Sequence, residues 1–388
     1  LERSTHFVRQ TTALEPTVPL PLDEAERLIL SHRSDELMSR VVADFHRSAG
    51  DADIVVVEGL VHTPDTPLEV ELNAQLIKTL SADLILVGAL GAGDIGEFAE
   101  RAGLAREQYT GGHFERVLGV IANRVTGSLP SVRDQIAAQL DRIGRGSGRG
   151  LRLLGVIPEN PELGACRTVD VVRHLDAEIV NEGELATRRV KRFTLLARTV
   201  PNLLHTLTPG NILVTPCDRS DVVLAVAMAA MNAIPIAGLV LTGERSELPA
   251  GVLQLCAPAF ATGLPVLRVS MNSWEAAQRM AQMSPEIPAD DLERVQLGMS
   301  FIAEHLDADY VARHAQAPVE ARLSPAAFTY RLTELARGSR AHRLARRQRA
   351  ADGPRSRDLR RARHRWLRAA RRPRGSEAGG VRSRARLV

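Results

Sequence analysis

The stretch Ile212-Leu213-Val214-Thr215-Pro216-Cys217-Asp218-Arg219-Ser220-Asp221 runs into the Ala-rich segment Val222–Met231 and then into Ile236–Leu241. In that order it reads as a strand, a helix and a second strand. The two outer runs are short and almost continuously apolar, as parallel strands buried on both faces are. Periodicity alone does not separate such runs from buried helix; their brevity and the turn residues that follow them do. Ser220 is placed to cap the helix. Val266–Val269 reads as a further strand. Ile212, Leu213, Val214, Ile236, Leu239, Val240, Val266 and Leu267 are the expected core, with the Val222–Met231 helix packed on it.

The same alternation fills the first half of the chain. Ile54–Val57, Leu84–Val87, Val117–Ala122 and Leu151–Ile157 are brief apolar runs ending in Gly, Pro, Glu or Asn. Leu37, Val41, Val42 and Phe45 mark a helix ahead of the first run. Val132, Ile136, Leu140 and Ile143 mark another, with Ser131 and Asp134 as a capping pair and Gly144 as its stop. Strands alternating with helices of this length imply a doubly wound α/β sheet. Gly144–Gly150 is expected to be a flexible surface loop. From Pro285 to Ala317 the chain is acidic and helical in pattern, Pro318–Pro325 reads as a linker, and globular patterning ends after Arg337.

Composition sets the class. The 388 residues are 44% hydrophobic, 25% charged and only 3% aromatic, so the cores are aliphatic. A net charge of +4 hides two opposite halves. Residues 338–388 hold 18 arginines against Asp352, Asp358 and Glu377, a charge of +15, while the rest of the chain is at −11. Self-repulsion and few apolar residues make a disordered tail the expectation there. No apolar run approaches the ~18 residues of a membrane span. Cys166, Cys217 and Cys256 are odd in number and far apart, which argues against a disulfide framework and for a reducing, cytoplasmic setting. The chain opens at Leu1, which suggests a fragment.

Parallel sheets bind ligands beyond the carboxyl ends of their strands, so strand-end polar residues are the site candidates. Glu58 follows Ile54–Val57, where a P-loop enzyme holds a magnesium-organising carboxylate. Asn123 ends Val117–Ala122, a place where such folds read a nucleotide base. Asp218 and Arg219 follow Ile212–Thr215, and Thr242 and Gly243 follow Ile236–Leu241. These four converge if the two strands are neighbours, and would offer a carboxylate, a guanidinium, a hydroxyl and free amides to a small anion. Satisfied turn residues are the plainer reading of each. A phosphate-cradling loop needs a Lys after its glycines; Lys78 follows Ile77 and Lys191 follows Val190, so ATP hydrolysis is not expected. The eleven histidines show no tight metal spacing, and no metal is expected.

At several of these residues the chain resembles the long, multidomain form of bacterial phosphate acetyltransferase. The matching stretches include Val55–Val61, Gly119–Arg124, Ile179–Gly183, Thr187–Lys191, Asp218-Arg219, Ala229–Asn232, Leu241–Gly243 and Ala259–Pro265. Ser324–Phe328 and Leu332–Arg337 close the match. The resemblance implies a dethiobiotin-synthetase-like P-loop region at 1–165 lacking its first strand and loop, and a DRTGG-like α/β domain at 166–308. It further implies a linker to a catalytic domain at 309–337. The DRTGG elements fall on Asp218, Arg219, Thr242 and Gly243, with Glu244 where a second glycine is expected. The family's catalytic domain opens with a run like Val-Leu-Pro-Glu-Gly-Asn-Glu-Pro-Arg-Thr-Val. A one-base shift in one permitted back-translation of Arg343–Pro354 encodes that run, so 338–388 reads as an out-of-frame version of the domain's start.

The resemblance therefore implies an N-terminal regulatory and oligomerising region, itself without catalytic residues or cofactor. The parent reaction exchanges acetyl between CoA and phosphate. The implied partner is a small-metabolite effector, within a homo-oligomeric parent enzyme and away from membranes. Two other functions compete with this one. An ATP-dependent ligase like dethiobiotin synthetase lacks its loop, Lys and Thr here. Binding of nucleic acid by the Arg-rich arm would be strong and salt-dependent, but without aromatic interleaving it would not be specific.

Overall fold

The structure is a computed structural model. It describes residues 3–50, 52, 54–61, 68–111, 116–145, 150–243, 248–315, 324–337 and 385–387. The chain divides into two units, Leu1–Pro158 with His305–Val388, and Glu159–Glu304.

The first unit opens with three helices, α1 (Arg3–Thr11), α2 (Leu22–Leu30) and α3 (Ser34–Ala49), followed by β1 (Ile54–Val56) and α4 (Glu69–Leu80). Strand–helix alternation then carries β2 (Leu84–Gly91), α5 (Ile95–Thr110), β3 (Val117–Val125), α6 (Leu129–Arg145) and β4 (Leu153–Pro158). Strands β2, β3 and β4 form a parallel sheet in that order. Helices α5 and α6 bury one face of it around Leu86, Phe98, Val120, Ala122, Ile136 and Leu140. Gly88 permits this closeness, since a Cβ there would sit 2.9 Å from the Phe98 ring.

Three expectations shift here. Strand β1 does not join β2–β3–β4; it pairs in parallel with Ala385–Leu387. Residues ahead of β1 fold as helices, so no described strand bridges it to the larger sheet. These three tail residues are therefore placed in a strand, and the rest of the expectation for 338–388 lies outside the described residues, as do 146–149 of the glycine-rich loop. Helix α6 starts at Leu129, two residues before the expected cap Ser131, because Val132 N–H already donates to the Ser128 carbonyl. Its last residue is Arg145, one past the expected stop at Gly144.

After the second unit the chain returns to the first. Asp307 N–H donates to the Leu154 carbonyl at 2.7 Å, and Arg152 pairs with Asp307 at 3.0 Å while its guanidinium lies 3.9 Å over the Tyr310 ring. Helix α14 (Ala308–Ala315) and a helix over 325–337 follow. Ser324 starts the latter, donating to Thr79 O at 2.6 Å and accepting from Ala327 N–H at 3.2 Å, and Tyr330 stacks on His46. The described part of the stretch read as a linker, 309–337, is thus helical and seated on the first unit.

The second unit runs α7 (Pro161–Gly164), β5 (Cys166–Arg167), α8 (Thr168–Leu175), β6 (Glu178–Asn181), β7 (Arg189–Val190), β8 (Arg192–Leu195) and α9 (Val200–Leu203). It continues with β9 (Asn211–Pro216), α10 (Ser220–Met231), β10 (Gly238–Thr242), α11 (Ala250–Phe260), β11 (Val266–Val269), α12 (Ser273–Ala281) and α13 (Leu292–Ala303). Its sheet has the order β6-β11-β10-β9-β8, parallel except for β6. Leu213, Leu239 and Leu241 face α10 and α11, while Ile212, Val214 and Val240 face α8 and α12. All eight expected core residues are 1% exposed or less. Each such side chain contributes ~1.5–3 kcal/mol against exposure. Ala227, Ala229 and Ala230 let α10 approach the sheet closely. No helix among the described residues is long and apolar enough to cross a membrane.

Candidate functional site

The carboxyl edge of the second sheet brings the two expected turns together. Strands β9 and β10 are adjacent, with Thr242 in register with Pro216. Pro216 has no N–H to extend the ladder, so the chain leaves the sheet there. Cys217 N–H then donates to Thr242 O at 3.0 Å, setting Asp218-Arg219 beside Thr242-Gly243. The Arg219 carbonyl accepts from Val222 and Val223 N–H and opens α10. Arg219 is thus the cap position, and Ser220 is already helical and makes no side-chain cap.

Each side chain at this edge has a definite role. The Arg219 guanidinium holds Asp221 through two bonds of 2.9 Å and donates a third to the Arg198 carbonyl at 3.1 Å. The bond from Arg219 keeps the Asp221 carboxyl below its usual range. Asp218 is exposed. Thr242 is buried, its Oγ1 2.6 Å from Ser273 Oγ at the start of α12. Gly243 has φ +128° and donates its N–H to Met271 O, a conformation a side chain would strain. Burial pushes the Cys217 thiol up, so it stays a neutral packing group. Glu244 lies outside the described residues.

In the first unit Glu58 lies just after β1 and Asn123 within β3, and these two strands do not pair with each other. Glu58 is exposed in the segment after β1. That segment is fixed by Asn73 of α4, which accepts from Leu60 N–H and donates to Leu60 O, both at 2.9 Å. Asn123 lies inside β3 rather than at its end. The register slips there, and Asn123 Oδ1 accepts from the N–H of Arg124, a residue at φ +55°. Among the described residues no three His, Cys, Asp or Glu side chains gather as for a metal ion.

The densest charge cluster was not singled out by the sequence. Arg167 meets Asp170 at 2.8 and 3.1 Å and Asp290 at 2.8 Å, and Arg189 grips Asp291 at 2.5 and 2.9 Å. Arg294, almost fully buried, donates to Leu163 O and Pro285 O. Bonds from Arg173 and Arg167 hold Asp290 at about 2. Burial works to raise Asp291, but the bond and charge of Arg189 outweigh it and leave the carboxyl lowered. The run Thr187–Lys191 is the visible signal: Arg188 is paired with Glu184, Arg189 with Asp291 and Lys191 with Glu162. This network ties α8, the β5–β7 ribbon and α13 together.

Comparison with known proteins follows the same division. The DRTGG domain family matches residues 170–283, and an AAA domain family matches residues 2–167. The phosphate acetyltransferase of Pseudomonas aeruginosa is 38% identical over 311 residues, covering 79% of this chain and 44% of that protein. That of Escherichia coli is 36% identical over 326 residues, 79% of this chain and 45% of the relative. Among solved structures, the CBS and DRTGG domains of the regulatory region of Clostridium perfringens pyrophosphatase, complexed with the activator diadenosine tetraphosphate, match at TM-score 0.26 and 18% identity. That match covers 37% of this chain and 64% of the other. The chain spans less than half the length of the curated relatives it matches. Over 79% of its length, through the regions matched by the AAA and DRTGG domain families, the chain is similar to phosphate acetyltransferases.

Proposed function

We propose that this chain is a non-catalytic regulatory region of a phosphate acetyltransferase, with an effector site at the carboxyl edge of its second sheet. The parent reaction is acetyl transfer between CoA and phosphate, in a homo-oligomeric cytoplasmic enzyme. The observation that carries the reading is the Cys217–Thr242 backbone bond, which seats Asp218 and Arg219 beside Thr242 and Gly243 within the DRTGG-matched region. Strand ends of a parallel sheet are where α/β domains take small ligands. Arg219 is occupied by Asp221 and Arg198, so Asp218 and the Gly243 turn are the groups that meet an effector, with Arg219 holding their geometry. In the AAA-matched region Glu58, after β1, and Asn123, within β3, are the corresponding candidates, without a Gly-Lys phosphate loop.

The test has two arms. Purified chain is assayed for CoA release from acetyl-CoA and phosphate, and the background rate is expected; turnover that survives removal of host enzyme overturns the non-catalytic reading. Melting is then followed with acetyl-CoA, CoA, acetyl phosphate and adenine nucleotides. One of these is expected to raise the midpoint, and Asp218→Ala to abolish that rise while leaving the unliganded midpoint in place. No rise with any of them, or a rise that Asp218→Ala leaves intact, removes the site.

A further inference from the structure

Beyond β8 the second unit holds a separate cavity of about 130 Å³, on the far side of β9 from Thr242. Its apolar floor includes Leu195 and Leu203, the latter 2% exposed. Its polar wall is Thr194, Arg198, Asn202 and His205. No carboxylate lines it. Thr194 is engaged with Asn211, and Asn202 spends one amide N–H on Thr199 Oγ1. The guanidinium of Arg198 and the ring of His205 make no hydrogen bond or ion pair within the described residues, in contrast to Arg188, Arg189, Lys191 and Arg219 nearby in sequence. The backbone beneath Arg198 is fixed, because its carbonyl accepts from Arg219 Nη2 at 3.1 Å.

We propose that this cavity binds a small oxyanion, with Arg198 as its cationic contact and the His205 ring and the Asn202 amide as further donors. Arg198, Asn202 and His205 are exposed, and a guanidinium on a fixed backbone with no opposing carboxylate is free to make a charge-assisted contact there. At ~30 Å³ per liquid water, the volume holds roughly four waters, which suits a phosphate or a short carboxylate and excludes a whole nucleotide. The cavity lies across β9 from Thr242 and is linked to the Asp218–Arg219 turn through the bond from Arg219 to the Arg198 carbonyl.

The experiment is calorimetric titration of the full chain with inorganic phosphate, and in a second arm with acetate, at about 150 mM sodium chloride to screen diffuse binding. The arginines of 338–388 contribute equally to every variant, so the difference between proteins reports the cavity. Arg198→Gln is expected to weaken phosphate binding about tenfold, with Arg198→Lys intermediate and the melting midpoint unchanged. Thr242→Val is expected to bind phosphate as the unaltered chain does, which separates this site from the proposed effector edge. Acetate weaker than phosphate marks the cavity as a phosphate site, and the reverse marks it as a carboxylate site. If Arg198→Gln does not fold, His205→Gln takes its place with a smaller loss expected. Equal phosphate binding by the unaltered chain and a folded variant overturns the proposal, and so does the absence of saturable binding.

Discussion

Arg189 shows how one residue of a basic run comes to hold a domain together. Its partner Asp291 has a side chain only 1% exposed, and the next nearest cation, Arg167 Nε, is 3.9 Å away. Removing one member of a buried pair strands the other charge, a loss of about 3 kcal/mol. Arg189→Ala should show that loss as a lower urea midpoint. Asp290 gives the pH dependence. Its carboxyl is lowered from 3.8 to about 2 by the bonds from Arg173 and Arg167. A lowered carboxyl contributes stability that is complete above pH 3.8 and disappears as pH falls toward about 2. Unfolding followed across that window should be steeper in pH for the unaltered chain than for Asp290→Asn. Equal slopes would mean that the ion pair adds nothing to stability.

At the scale of elements, two contacts fix how segments meet. Gly183, just after β6, has φ +47°, and a Cβ there would lie 2.4 Å from the Gly263 carbonyl oxygen. Gly183→Ala must therefore move backbone as well as strain it, at a cost of roughly 1–3 kcal/mol. Thermal unfolding of that variant should fall accordingly, and an unchanged midpoint would show that the β6 edge gives way freely. Asn73 plays the matching part in the first unit, where it closes both backbone groups of Leu60. Asn73→Ala should speed hydrogen exchange at the Leu60 amide and cost about 1–3 kcal/mol. Both residues act through backbone atoms of a distant segment, so neither pattern nor composition marks them.

On the scale of the whole molecule, the division at Pro158 and Glu304 sets the test. The second unit has two aliphatic cores, one on each face of a complete five-stranded sheet. A polypeptide of residues 159–304 should melt cooperatively and give a dispersed amide spectrum; a broad, non-cooperative loss of signal would show that it needs the rest of the chain. The first unit is built differently. Its sheet of three strands is covered by α5 and α6 on one face, while Val87 is 64% exposed.

What the residues alone determined was set by local chemistry. Short aliphatic runs bounded by turns marked β1 to β4 in the first unit and the central strands β9, β10 and β11 in the second, with every expected core position there, because burial on both faces leaves no other use for them. The more exposed, polar β6 and β8 at the sheet edges and the β5–β7 ribbon carry no such run. The convergence of Asp218-Arg219 with Thr242-Gly243 was legible as a condition, that β9 and β10 be neighbours, and the sheet order met it. What depended on through-space partners was decided only by the tertiary structure. The separation of β1 from β2–β3–β4 and the return of residues 305–315 and 324–337 to the first unit involve segments far apart in sequence. So do the pairing of Arg189 with Asp291, 102 positions on, and the engagement of Arg219 by Arg198 O. A charged side chain carries no record of which distant carboxylate will oppose it, and that choice is made when the sheet brings the two within hydrogen-bond reach.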